Sequence, residues 1–313
     1  MTPARHVGTV LHLCNTESIG YVALKTISVS PTASVVGVTS RGIFLRTPSK
    51  QILFLSFEPH RGPLTINTAH KITNVGLSVQ IIDSHLFIGD AAIRLDTANL
   101  WQPDPLPSTI VPLPTRIATL QHFLNRANVV IPSEARNLFH NPRDSSSHTT
   151  LLGMTHLAES LILNLGKGPG LTPSHDDIVI GFLLTLNRYG HYPHNDLIIK
   201  EAYARTTTLS ANLIECATQG LADERLIRVV DCIFTGDKND RALDEMLGWG
   251  ESSGLNALKG MALAIKNFES RGERVVSPSN PPVNLLPNPK LHSAVMASAF
   301  EPRCTPEPSN LAD

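Results

Sequence analysis

No sign of charge dominates this sequence, and that is the first thing that narrows it. Lys and Arg number 26 against 27 Asp and Glu, a formal net charge of -1 at pH 7, with an isoelectric point near 6.9. The counterion release that drives proteins onto phosphate backbones needs a basic surplus, so nucleic acid is not expected as a partner. Cysteine is also scarce. The four residues Cys14, Cys216, Cys232 and Cys304 are scattered, with no CxxC pair and no His cluster at zinc-ligand spacing. That excludes a disulfide framework and a zinc knuckle and fits a reduced, cytoplasmic protein. Residues 1–10 contain Pro3, Arg5 and His6 and no apolar core segment, so no secretory signal is expected. Long hydrophobic runs are missing too. The most apolar helical stretch, 178–186, is less than half of the roughly 20 residues that cross a bilayer, and is expected to be a buried core helix rather than a membrane span.

What is present is globular composition, 42% hydrophobic and 17% charged over 313 residues, enough for two ordinary domains. Up to about residue 95 the chain is rich in Val, Ile, Thr and Phe, broken at short intervals by Gly, Pro, Asn and Ser. Strands are predicted at 7–13, 20–29, 34–38, 42–46, 51–56, 64–67, 77–82 and 86–88, an even spacing that suggests a small barrel or sandwich. Between 96 and 116 lie Pro103, Pro105, Pro107, Pro112 and Pro114, which remove backbone donors and disfavour helix, so this stretch reads as a linker. The period then changes. Helices are predicted at 117–127, 149–165, 174–189, 196–219, 223–234, 238–247 and 253–270. The expected fold class is therefore α+β: a β-rich domain over 1–95, a linker over 96–116, and a mainly α-helical domain over 117–270. The tail 271–313 is proline-rich without apolar periodicity and is expected to be disordered.

The most informative segment is 165–177, Leu-Gly-Lys-Gly-Pro-Gly-Leu-Thr-Pro-Ser-His-Asp-Asp. Gly166, Gly168 and Gly170 permit positive φ and close approach of backbone to a ligand, while Pro169 and Pro173 stiffen the path. Ser174 is placed to cap the following helix, with Asp177 three residues on in a capping-box-like pattern. Helix starts carry unsatisfied N–H donors and partial positive charge, so a small anion is the expected ligand. Asp176 and Asp177 would repel that anion unless a cation or a donor on the substrate intervenes. A magnesium ion and a substrate amide are both chemically suitable.

Two further patterns accompany the loop. Thr206, Thr207, Thr208 and Ser210 put β-branched, hydroxyl-bearing residues inside a predicted helix, a local conflict typical of functional sites. Around Ser253 an echo appears: Ser174, Asp177 and Gly181 align with Ser253, Asn256 and Gly260, so both helices carry Ser-x-x-(Asp/Asn)-x-x-x-Gly. Positions three and seven past the serine share one helical face. The two helix starts are expected to converge on one ligand.

The run Gly166-x-Gly-Pro-Gly-Leu-Thr-Pro-Ser-x-Asp-Asp177, with Arg205-Thr-Thr-Thr-Leu-Ser210 and Ser253-Gly254-x-Asn256-Ala-Leu-x-Gly260, resembles the signature of a bacterial and archaeal family long catalogued as a domain of unknown function. One branch of that family is a subunit of oxamate carbamoyltransferase. Gly62-Pro63 matches more loosely, and the resemblance covers roughly residues 8 to 268. It departs from the family at His175, where glycine is usual, at Asn256, where aspartate is common, and at Glu251, which replaces a frequent histidine. The resemblance implies transfer of a carbamoyl group between an amide acceptor and phosphate, within purine and allantoin catabolism, and other subunits of a carbamoyltransferase complex as partners. Asp176 and Asp177 would be catalytic. Gly168, Gly170, Thr172, Ser174, Thr207, Ser210, Ser253, Gly254 and Asn256 would bind carbamoyl phosphate and oxamate or oxalurate. The metal is left open, magnesium being the candidate. The alternative is a non-catalytic subunit that binds a metabolite anion at the same loop, which the substitutions at His175 and Asn256 favour slightly.

Overall fold

Burial alternates along several of the amino-terminal strands, which gives them an inner and an outer face. β6, for example, buries Val79 and leaves its neighbours Ser78 and Gln80 exposed. The computed structural model describes residues 12–129, 158–190 and 192–270. They fall into two units: one of 12–59 and 64–101, the other of 60–63 and the described residues from 102 to 270.

The first unit contains β1 (His12–Gly20), α1 (Tyr21–Val29), β2 (Thr32–Val38), β3 (Gly42–Arg46), β4 (Ile52–Ser56), β5 (Thr65–Thr68), β6 (Ser78–Ile82), β7 (His85–Ile88), β8 (Ala91–Arg94) and β9 (Asn99–Trp101). Pairing runs β5-β4-β3-β2-β6-β7-β8-β1, and β1 pairs again with β5, so eight strands close into a barrel. Closure removes the unpaired edges that an open sheet would expose. β9 joins the far end of β1 in parallel, beyond the part paired to β8. Inside lie Ile19, Ile43, Leu45, Leu55, Ile66, Leu86 and Ile93, all wholly buried. One predicted strand is corrected. Residues 20–29 are not a strand, because 21–29 form α1, whose Ala23, Leu24 and Ile27 enter the barrel core. The β-branched residues there suggested a strand, but the buried set Ala23, Leu24, Thr26 and Ile27 follows helical spacing.

The second unit is helical: α2 (Leu113–Arg126), a helical run over 158–164, α3 (Ser174–Arg188), α4 (Asn195–Arg205), α5 (Thr208–Thr218), α6 (Glu224–Thr235), α7 (Asp240–Leu247) and α8 (Ser253–Ser270). Of the expected architectures, a β-barrel or sandwich followed by a mainly helical region, the chain adopts the barrel. The start of the helix predicted at 149–165, the first strand's residues 7–11 and the tail 271–313 lie outside the described residues. A second correction concerns 196–219, which is two helices. Thr206 is extended, and Thr207 starts the new helix by accepting the Ser210 N–H at 3.1 Å. The segment 60–63 belongs to this unit, where the Arg61 guanidinium and backbone N–H both bind the Glu224 carboxylate at the start of α6.

α3 is the centre of the unit. From Val179 to Arg188 every residue is buried, as expected of a helix apolar nearly all round. Its chief partner is α8. A Cβ at Gly181 would stand 2.0 Å from the Ala257 carbonyl oxygen, and one at Gly260 would stand 2.0 Å from that of Ile178. The two helices can touch this closely only because both positions are glycine. Ile178 and Ala257 are themselves equivalent in the echo that aligns Ser174 with Ser253, so each helix sets its glycine against the same position of the other.

Candidate functional site

The loop before α3 is shaped by residues that accept positive φ. Gly166, at φ 77, has no room for a side chain beside the Arg205 carbonyl, and Gly168, at φ 116, packs on the backbone and hydroxyl of Ser174. Gly170 and Leu171 are exposed at the tip. Among the described residues, the N–H groups of Gly168, Gly170, Leu171, Thr172 and Ser174 make no hydrogen bond. Such a cluster of free donors at a helix start is the local requirement for binding an anion. The capping box expected at Ser174 is not formed. Pro173 occupies the cap position with no side-chain cap bond, and Ser174 is already helical.

Asp176 instead fastens the loop. Its carboxylate accepts the Gly166 N–H at 2.8 Å and the Thr206 hydroxyl, so both oxygens are engaged. Thr207 adds a second clasp, its hydroxyl donating to the Leu171 carbonyl at 2.8 Å. Thr172 makes the third, with its hydroxyl 3.2 Å from that of Ser253. Residues 171 and 172 therefore join the starts of α3, α5 and α8 at one place. The expectation that the echoed helix ends would meet holds at the level of these contacts.

Asp177 lies at that junction. It is wholly inaccessible to solvent, and neither carboxylate oxygen has a hydrogen-bond partner. Burial pushes its pKa up to about 7; the Ser253 and Thr172 hydroxyls beside it pull the value down in part, and the charge of Asp176 raises it further. A buried, unpaired carboxyl is costly, so a group of this kind in a well-packed helix pair needs a reason. Ser210 repeats the pattern: it is wholly buried, with its hydroxyl unpartnered. His175 is half-buried, and burial lowers its pKa below the ordinary histidine value.

The remaining predicted residues are placed as follows. Gly254 is buried, where a Cβ would meet the Met246 carbonyl at 2.1 Å. Asn256, the counterpart of Asp177 on α8, is buried and accepts the Lys259 ammonium at 3.0 Å. Thr172, Asp177 and Ser253 are brought together, whereas Asn256 and Ser210 make no bond to Asp177. Two residues escaped the sequence reading. Thr206 stood in the recognised hydroxyl run but was not singled out as a site residue, and Lys259 falls three residues past Asn256, a spacing that puts the two on one helical face. Among the described residues no group of three or more His, Cys, Asp or Glu is placed to hold a metal ion, and no helix is long and apolar enough to cross a membrane.

Residues 164–265 match the family described as oxamate carbamoyltransferase subunit AllH. The match spans under half of the chain, but it contains the whole glycine-rich loop, α3, α5 and the amino-terminal two-thirds of α8, so every element that meets at Asp177 falls inside it. It bears out the resemblance drawn from the loop, the threonine run and the Ser253 motif. No solved structure matches the chain.

Proposed function

We propose that the junction of the α3, α5 and α8 starts binds a small metabolite anion, and that the chain is a subunit of a carbamoyltransferase resembling oxamate carbamoyltransferase. The observation that carries this reading is an unpartnered buried carboxyl, Asp177, beside a loop whose free N–H groups can hold phosphate or carboxylate. Carbamoyl phosphate and oxamate, or oxalurate in the reverse direction, are small anions that carry amide groups.

In this role the loop N–H groups bind the anionic end and stabilise negative charge as it develops on the carbamoyl oxygen. Asp177 accepts the amide N–H and takes its proton as the nitrogen attacks the carbamoyl carbon and the carbamoyl C–O bond to phosphate breaks, releasing phosphate, a task suited to a carboxyl whose pKa is near neutrality. Ser253 and Thr172 orient that carboxyl, and Thr207 and Asp176 keep the loop in position. Were magnesium bound with the substrate, the Asp177 carboxylate would be the residue to hold it, and the ion would offset the charge of the anion. The reading assigns the protein to the cytoplasm, in purine and allantoin breakdown, with further carbamoyltransferase subunits as partners.

A second reading is favoured by Asn256. It has an amide where the echo has a carboxyl, and its oxygen is already taken by Lys259, so the site can hold a metabolite without turning it over. Calorimetry with phosphate, carbamoyl phosphate and oxamate, with and without magnesium, tests binding. Heat with at least one of them is expected, and none with any, even with partner subunits present, refutes the anion site. Carbamoyl transfer by the reconstituted complex, abolished in Asp177→Asn, separates catalysis from binding alone.

A further inference from the structure

The two oxygens of Asp177 point to a requirement on the ligand itself. An ionised carboxylate is an acceptor only, with about four lone-pair positions. Asp176 next to it has filled its share with the Gly166 N–H and the Thr206 hydroxyl, while Asp177 has filled none. Ser253 and Thr172 are the hydroxyls close to it, and they lie within hydrogen-bonding distance of each other. Around them the loop supplies N–H donors, which serve a ligand's negative oxygens. The site thus holds donors for an anion and, within the same few residues, a buried carboxylate with no well-formed hydrogen bond and two neighbouring hydroxyls to share for about four lone-pair positions.

Resting on the anion-site reading, we propose that Asp177 is a specificity-determining residue that admits anions carrying a hydrogen-bond donor of their own, an acid O–H or an amide N–H, and rejects anions that carry acceptors only. An acceptor-only anion would face the carboxylate with like charge and leave its oxygens unpaired, whereas a donor-bearing anion satisfies them. Sites built around such a bond discriminate strongly because the unpaired partner is buried. Thr172, which is only half-buried, is the member of the group nearest to solvent exposure and the side from which a ligand would reach the carboxyl.

The test compares pairs of matched shape by calorimetry on the full chain at pH 8, where the Asp177 carboxyl is mostly ionised: phosphate against sulfate, and oxamate against oxalate. In each pair the first member carries a donor and the second carries none. The donor-bearing member should bind at least about tenfold more tightly. Asp177→Asn, which presents both an acceptor and a donor, should bring the members of each pair within about threefold, provided its circular dichroism shows it folded. The wild-type ratio decides the matter whether or not the variant folds. Equal or reversed affinities in every pair that binds overturn the proposal while leaving the anion site standing. Absence of binding by all four anions and by carbamoyl phosphate removes the anion site and the proposal together.

Discussion

The barrel and the helix junction treat buried polar groups in opposite ways. In the barrel, Ser18 donates to Asn67 at 2.9 Å, Asn67 donates in turn to the Glu58 carbonyl at 2.8 Å, and Thr68 reaches the Asn15 carbonyl. These bonds sit where β1 bulges against β5, at the closure of the sheet. Among the described residues of the barrel unit the exception is the Thr16 hydroxyl, a neutral group whose burial costs far less than that of a carboxylate. At the helix junction the unpartnered groups include the Ser210 hydroxyl and a carboxyl, Asp177. One unit uses its polar side chains to complete a scaffold, and the other buries a carboxyl that makes no well-formed hydrogen bond within the fold.

That contrast can be broken most forcefully at the helix crossing. Gly181→Val and Gly260→Val each force a side chain into a backbone carbonyl, and should destabilise the helical unit by about 3 kcal/mol or more. Thermal denaturation followed by far-ultraviolet dichroism should show loss of helix well below the wild-type midpoint. An unchanged midpoint would mean the helices do not touch there.

Asp177→Asn should do the reverse, and in a pH-dependent way. The folded pKa of Asp177 is raised from 3.8 to about 7, so the folded state binds more protons than the unfolded one between those values. Stability therefore falls as pH rises from about 4 to about 7. The variant lacks this loss. It should be more stable than wild type by about 4 kcal/mol at most at pH 8, with the advantage gone at pH 4. Parallel melts of the two proteins across that range check the sign, and a variant less stable at pH 8 would show that Asp177 has a partner within the fold.

Smaller effects separate the fastening carboxylate from the open one. Thr206→Val removes one of the two donors to Asp176 and should cost about 1–2 kcal/mol. It should also loosen the loop, read as faster amide exchange at Gly166 and Lys167, whose N–H groups are hydrogen-bonded. Asn67→Ala in the barrel should cost about 1 kcal/mol and show no dependence on pH between 5 and 9. An Asn67 effect as pH-sensitive as that of Asp177 would erase the distinction between the units.

Much of this was legible in sequence. β3 was predicted at its observed bounds and β6 to within one residue at its start, because runs of β-branched and apolar residues between turn signals mark strands. The Ser174 and Ser253 echo was also visible, since residues three and seven apart must share a helical face. Other features were not. Residues 21–29 carry Val22, Thr26, Ile27 and Val29, which suit a strand in isolation, and only the barrel interior made a helical face the better burial. Residues 91–94 and 99–101 are too short and too mixed to signal strands without β1 beside them. The break at Thr206 was seen as a local conflict, but its outcome depended on Asp176, thirty residues earlier in the chain.

The loop's chemistry follows the same division. Sequence by itself determined that 165–177 would be a stiff, glycine-lined turn into a buried helix, because backbone conformation and helix starts are governed by neighbours along the chain. It also determined that two adjacent aspartates would stand in the first turn. Which of them would be satisfied was decided only by tertiary structure. Successive side chains on a helix point about 100° apart, so Asp176 turns toward Gly166 and Thr206 while Asp177 turns toward the incoming end of α8. A difference of one position places one carboxylate among donors and the other where the fold supplies too few.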